Sequence, residues 1–88
     1  MLSILRAMRA AVRVPIAAQP AAFRTTDDCH CFTRQSAFPD DLETIQVSRR
    51  EFIDFGRAAR AEGLGYIGGC CGCNPAYIRA LAQGLAPD

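Results

Sequence analysis

Apolar positions recur along the chain at spacings that predict three helices and two short strands. The first helix is indicated by apolar residues at steps of four, three and four, namely Met1, Leu5, Met8 and Val12. The following run, Val14–Ala18, is apolar throughout, which is typical of a parallel strand buried on both faces. Pro15 would lie at the start of this strand, where a missing N–H is tolerated.

A second helix is predicted to begin at Ser48, because Ser-Arg-Arg-Glu has the form of a capping box. In this arrangement the serine oxygen accepts a hydrogen bond from the amide of Glu51, whose side chain reaches back to the cap. Gly63 supplies a left-handed residue at the end of this helix. The apolar face of the helix comprises Phe52, Phe55 and Ala59.

The last part of the chain repeats the strand and helix pattern. Leu64–Ile67 resumes a short strand, and Asn74-Pro75 supplies an N-cap and a first-turn proline for a third helix. The apolar face of that helix comprises Tyr77, Ile78, Leu81 and Leu85. Strands alternating with helices predict parallel α/β architecture. Two strands are too few for a covered parallel sheet, so we expect part of a larger barrel or sheet.

Between the first strand and the second helix, residues 19–47 show no sustained periodicity. A loop this long is functional or disordered in most compact domains. With 88 residues, of which half are hydrophobic, the chain is expected to fold as one small domain at most.

Charge and segment composition exclude several classes of function. A net charge of +1 gives no reason to expect a nucleic-acid partner. Four arginines and no acidic residue lie between Met1 and Thr26, which resembles a targeting peptide, although the apolar spacing favours a packed amphipathic helix. Arginines interrupt the apolar run, so no membrane span is predicted. We expect a cytoplasmic protein.

Cysteine is the main candidate for chemistry, with five in the chain and two of them, Cys70 and Cys71, adjacent. A disulfide between neighbours would be strained. In a regular strand the two side chains would point to opposite faces, so binding one ion requires a bend, which the flanking glycines permit. Zinc suits clustered thiolates. A redox role for Cys70, Cys71 and Cys73, or simple packing of small apolar residues, are the alternatives.

A second cluster, formed by Cys29, His30 and Cys31, lies in the long loop. Together with the later cysteines it suggests a different class of protein, a small non-enzymatic zinc-binding module that uses Cys29, Cys31, Cys70 and Cys73. The Cys-X-Cys spacing and the absence of turn glycines around it argue against this hypothesis.

The segment "YIGGCCGCNPAYIRAL" closely resembles the zinc-binding signature of the homocysteine S-methyltransferases, the family that includes betaine–homocysteine methyltransferases. An earlier segment, "VPIAAQPAAFRTT", resembles the seventh strand of the same barrel with the loop that follows it. A second segment, "FPDDLETIQVSRREFIDFGRAARAEGLG", resembles the connection that leads to the seventh helix and that helix itself. The resemblance covers nearly the whole chain, and the Gly-Gly-Cys-Cys-Gly motif is its most specific part.

The resemblance implies that residues 1–88 are the C-terminal part of a homocysteine-binding domain. The fold would be a partial TIM (β/α)8 barrel comprising its last two strands with flanking helices. Its parts would be the sixth helix Met1–Val12, the seventh strand Val14–Ala18, the eighth strand Leu64–Gly69 and the eighth helix Pro75–Gly84.

The same resemblance implies the chemistry. Cys70 and Cys71 match the two adjacent zinc ligands of the family, and its third zinc cysteine would precede Met1. The implied cofactor is Zn²⁺. The implied substrates are homocysteine and a methyl donor such as betaine or S-methylmethionine, with methionine as a product. We expect the isolated chain to be inactive without a complementing chain.

Overall fold

The computed structural model describes residues 2–26 and 28–86, which form three helices and one pair of parallel strands. The elements are α1 (Leu2–Ala11), β1 (Ala17–Ala18), α2 (Arg49–Ala61), β2 (Tyr66–Ile67) and α3 (Pro75–Leu85). Ala17 pairs with Tyr66, and Ala18 pairs with Ile67. The predicted order and the parallel α/β class are confirmed, while membership of this pair in a TIM barrel stays a prediction.

Both strands are shorter than predicted, because only the last two residues of each predicted run, Val14–Ala18 and Leu64–Ile67, make ladder pairs. Hydrogen bonds beside the ladder extend the contact, since Gly65 N–H donates to the Ile16 carbonyl at 3.0 Å and Gly68 N–H donates to the Ala18 carbonyl at 2.9 Å. Burial on both faces was also a wrong expectation. Ile16 and Ala18 are buried, whereas Ala17 between them is exposed, so only one face of β1 packs against the helices.

The predicted first helix is present, but its apolar stripe is only partly buried. Leu5 is buried against Ile16 and Ala18. Met8 and Val12 are 45% and 41% exposed, so they do not belong to the core of the described chain. Met1 lies outside the described residues. No helix within residues 2–26 and 28–86 is long and apolar enough to cross a membrane.

The main core lies where α2 packs against α3. Phe52 and Tyr77 meet edge to face with their ring centroids 5.1 Å apart, and Leu81 is buried beside them. The Tyr77 hydroxyl donates to the Val47 carbonyl at 2.6 Å, which satisfies the polar end of the ring. Ile78, on the predicted apolar face of α3, is 47% exposed, so that face is only partly buried.

The predicted helix ends are confirmed in detail. Ser48 and Glu51 form the reciprocal hydrogen bonds of a capping box at the start of α2. Gly63 adopts a φ of 72° after α2, which is the left-handed conformation expected of it. At the start of α3 the Asn74 side chain accepts hydrogen bonds from the amides of Ala76 and Tyr77.

The long loop has local structure in its described residues, 19–26 and 28–47. It contains two short 3₁₀ turns, Phe32–Arg34 and Leu42–Ile45. Phe23 and Gln46 form an antiparallel bridge across it, and Val47 N–H donates to the Ala22 carbonyl at 2.8 Å. The two ends of the loop therefore run side by side.

Glu51 connects the start of α2 to this loop, and its charge should make the fold sensitive to acid. The Ser48 amide, followed by the Arg24 guanidinium, holds the pKa of Glu51 below its ordinary value. A pKa lowered by folding contributes stability that is present above the unfolded pKa and lost as pH falls through the folded pKa. We therefore expect Glu51→Gln to lose stability at neutral pH and to show a weaker decline on acidification than the unsubstituted chain.

The measurement is the urea midpoint at about pH 7 and about pH 3 for both proteins. Glu43→Gln is the matched control, because Glu43 makes no ion pair with the described residues. Equal acid sensitivity of Glu51→Gln and the unsubstituted chain would contradict the role assigned to Glu51.

Candidate functional site

The adjacent thiols lie in a four-residue turn that begins three residues after β2 ends. Cys73 N–H donates to the Cys70 carbonyl at 3.1 Å, and Gly72, the third residue of the turn, has a φ of 80°. A positive φ at this position is the signature of a type II turn and favours glycine. The turn brings the Sγ atoms of Cys70 and Cys71 to 3.7 Å from each other. The predicted bend is confirmed; metal binding by the pair stays a prediction.

The segment that follows β1 forms two backbone hydrogen bonds with this turn. Cys70 N–H donates to the Pro20 carbonyl at 3.0 Å, and Ala22 N–H donates to the Cys71 carbonyl at 2.8 Å. The first of these bonds continues the parallel alignment of the strands into the site. The C-terminal ends of both strands therefore contribute to it, which is where α/β folds place their active sites.

Two side chains of the long loop also contact the turn. The Gln46 amide donates from Nε2 to the Gly72 carbonyl at 3.3 Å. The Phe23 ring lies so close to Gly72 that a Cβ there would be 2.6 Å from Phe23 Cζ. Sequence reasoning found neither residue, because a contact between distant parts of a chain leaves no mark in local spacing. Only Gly72, as a turn glycine, carried a sequence signal.

Electrostatics set Cys71 apart from an ordinary surface cysteine. Both Cys70 and Cys71 are exposed and free. The Cys70 thiol raises the pKa of Cys71, first through their hydrogen bond and then through charge repulsion. Two thiolates at this separation repel each other, so ionisation of both is unfavourable unless a cation neutralises them.

Cys73 differs from the pair in its surroundings. It is half-buried against the main core, and its Sγ donates to the Pro20 carbonyl at 3.5 Å. Burial is the first cause that raises the pKa of this thiol. Cys73 is therefore a packed, hydrogen-bonded residue of the turn.

The second cysteine cluster lies in the loop and forms its own contacts. Cys29 exchanges backbone hydrogen bonds with Thr26, each at 3.1 Å. Cys31 is exposed, and a hydrogen bond between its Sγ and the Thr33 hydroxyl lowers the pKa of the thiol. His30 is also exposed. Across residues 2–26 and 28–86, no three or more His, Cys, Asp or Glu side chains are placed to hold a metal ion. The four-thiol module therefore has no support.

The Cys70–Cys71 pair itself fits two corners of a tetrahedral zinc site. With Zn–S bonds of about 2.3 Å, two thiolates of a tetrahedral ion lie about 3.8 Å apart. The observed Sγ–Sγ distance of 3.7 Å matches this spacing without rearrangement. Soft sulfur donors also suit this ion. The pair can thus hold such an ion from one side, with further ligands required to complete the site.

The homocysteine S-methyltransferase profile matches residues 1–85. The chain belongs to the homocysteine S-methyltransferase family. It is 38% identical over 82 residues to the S-methylmethionine–homocysteine S-methyltransferase of Pongo abelii, with 91% of this chain and 22% of that protein covered.

Two betaine–homocysteine S-methyltransferases show the same relation. That of Danio rerio is 37% identical over 81 residues, with 91% of this chain and 20% of that protein covered. That of Xenopus laevis is 41% identical over 81 residues, with 90% of this chain and 20% of that protein covered. The chain thus spans about a fifth of the length of these relatives.

Proposed function

We propose that this chain supplies part of the zinc site of a homocysteine S-methyltransferase, with Cys70 and Cys71 as two of the zinc ligands. The observation that carries the proposal is the Sγ–Sγ distance of 3.7 Å between two exposed thiols at the C-terminal end of β2. Family membership supplies the chemical context. The reaction would transfer a methyl group to the sulfur of homocysteine, giving methionine and a demethylated donor.

The chemistry needs a substrate thiol in its ionised form, since a thiolate is the reactive nucleophile. Bound zinc supplies a Lewis acid that lowers the pKa of such a thiol. Cys70 and Cys71 would release their protons and hold the ion between them. The Cys70–Cys73 turn keeps both sulfurs on one exposed side, which leaves room for a substrate sulfur to approach.

Betaine and S-methylmethionine occur in the names of the relatives. Each carries its transferable methyl group on a positively charged nitrogen or sulfur. We therefore propose an onium compound of this kind as the donor. In the same proposal, a complementing chain supplies the remaining zinc ligand and the donor site. A cytoplasmic location is also proposed.

The test is zinc binding by the purified chain and four single variants. Cys70→Ser and Cys71→Ser should each weaken zinc binding by at least about 100-fold, because each removes a thiolate ligand from the ion. Cys29→Ser and Cys31→Ser are the matched controls, and their affinity should equal that of the unsubstituted chain. We measure affinity by competition with a chromogenic chelator.

An affinity unchanged by Cys70→Ser and Cys71→Ser would overturn the proposal. A loss of affinity in Cys29→Ser would instead revive the four-thiol module. With only two proposed ligands in the described residues, zinc binding by the isolated chain should be weak, and no methionine should form from homocysteine and betaine. Formation of methionine by the chain alone would contradict that expectation.

A further inference from the structure

The turn that carries the two thiols is held by three side chains from outside the Cys70–Cys71 pair. These are Phe23 and Gln46 from the long loop and Cys73 from the turn itself. The contacts that define this set are with Gly72, Gly69 and Pro20, next to the paired thiols in the turn and beneath it in the chain segment after β1. We propose that Phe23, Gln46 and Cys73 are positioning residues that hold Cys70 and Cys71 in one orientation, and that none is a metal ligand.

Gln46 contacts the turn from the long loop. Its Nε2 donates to the Gly72 carbonyl at 3.3 Å, which belongs to the peptide group that follows the central Cys71–Gly72 peptide of the turn. In a type II turn the central peptide can flip, and the orientation of the second residue changes with it. A hydrogen bond to the Gly72 carbonyl, next to the central peptide, favours one orientation of that peptide. Gln46 therefore limits rotation beside a proposed ligand.

Phe23 packs on the same residue. The ring lies so close to Gly72 that a Cβ there would be 2.6 Å from Cζ. The turn therefore cannot move toward the loop without displacing the ring. Phe23 also pairs with Gln46 through the antiparallel bridge. The two side chains thus come from one bridged pair of segments and contact one glycine from adjacent positions.

Cys73, the last residue of the turn, contacts Pro20. The Cys73 thiol donates to the Pro20 carbonyl at 3.5 Å, and the same carbonyl accepts the Cys70 amide at 3.0 Å. Pro20 therefore joins the first and last residues of the turn. Since Cys73 uses its sulfur in this bond and is half-buried, it acts on the pair through Pro20 and Gly69.

The unit that carries Phe23 and Gln46 is itself fixed to α2. Arg24 donates from Nη1 to the Gln46 carbonyl at 2.8 Å and forms an ion pair with Glu51 in the capping box. The connection from the start of α2 to the thiols therefore passes through Arg24, Gln46 and Gly72. Outer residues that orient metal ligands in this way commonly change metal affinity by about 10- to 100-fold when removed.

This inference rests on the proposed function, because it assigns residues to the same thiol pair. The experiment measures cobalt and zinc affinity of the full chain by thiolate-to-cobalt charge-transfer absorbance and zinc competition. Gln46→Ala and Phe23→Leu should each weaken affinity by about 10-fold, while absorbance per bound cobalt at saturation stays unchanged because both thiolates still bind. Cys73→Ser should likewise leave that absorbance unchanged.

The matched control is Gln35→Ala. Gln35 lies in the same loop and also donates its side-chain amide to a backbone carbonyl, that of Arg24 at 2.6 Å, but it does not contact the turn. The cobalt and zinc affinities of Gln35→Ala should equal those of the unsubstituted chain. Circular dichroism of each variant checks that the helices are retained. Equal affinities of Gln46→Ala and Gln35→Ala would overturn the positioning role, and lower absorbance in Cys73→Ser would make Cys73 a ligand.

A metal-free measurement separates this inference from the proposed function. Hydrogen exchange of the Ala22 and Cys70 amides, which bond to the Cys71 and Pro20 carbonyls, should be about 10-fold faster in Gln46→Ala than in Gln35→Ala. Unchanged exchange would overturn the positioning role even if Cys70 and Cys71 bind zinc. If exchange accelerates but Cys70→Ser and Cys71→Ser leave metal affinity unchanged, the proposed function fails and the positioning of the turn stands.

Discussion

Gly84→Ala is expected to destabilise the chain by at least about 3 kcal/mol, because α2 and α3 touch backbone to backbone at this residue. A Cβ on Gly84 would overlap the Ile53 carbonyl oxygen and lie 3.0 Å from both the Arg57 nitrogen and the Gly56 Cα. Backbone atoms cannot move aside as a side chain can, so the helices must separate. Separation would also loosen the Phe52–Tyr77 contact that forms the main core.

The measurement is the free energy of unfolding from urea denaturation followed by circular dichroism. Gln83→Ala is the control, since Gln83 is an exposed neighbour in the same helix and its removal should change stability by less than about 0.5 kcal/mol. Alanine has the higher helix propensity, so propensity alone would make Gly84→Ala stabilising. A stabilised Gly84→Ala protein would show that the close approach of the helices is wrong.

Gly72→Ala is expected to weaken zinc binding by about 100-fold, because two effects act on the thiol turn together. The φ of 80° is unfavourable for alanine by about 1–2 kcal/mol. The added Cβ would also lie 2.6 Å from Phe23 Cζ, so the ring or the turn must shift. Either shift changes the relation between Cys70 and Cys71. Chelator competition measures the change in affinity.

Gly63→Ala is the matched control for this experiment. Gly63 has a similar φ of 72°, but a Cβ there would meet no atom within 4 Å. The variant should therefore lose a similar amount of stability from backbone strain and keep its zinc affinity. If both variants weakened zinc binding equally, loss of stability rather than distortion of the turn would be the cause.

The local features of the fold could be predicted because each depends on residues close together in the chain. The Ser48 capping box, the Asn74 cap and the left-handed Gly63 follow from hydrogen bonds within one helical turn. The parallel pairing followed from the alternation of strands and helices. Burial could not be predicted equally well. Val14 and Ile78 are apolar in sequence but exposed, because burial depends on what other elements cover.

The candidate site likewise has features that the sequence predicted and features that it could not predict. Adjacent cysteines among glycines predicted a bent strand end with two thiols on one side, and the turn at Gly72 confirms the bend. The contacts of Phe23 and Gln46 with that turn could not be predicted, since the bridge that presents them joins distant segments. The resemblance singled out Cys70 and Cys71 and left the role of Cys73 open, whereas the packing of Cys73 and its bond to Pro20 give it a place in the turn.

By itself, the sequence determined the helix ends, the α/β class, the family and the pair of thiols that could share a metal ion, because local hydrogen bonding and residue spacing carry that information. Only the tertiary structure decided how close those thiols lie, which cysteine turns inward, and which distant side chains hold the turn. Those properties depend on the register of β1 against β2 and on the ordered return of the long loop. Both are set by packing between segments that are far apart in the chain.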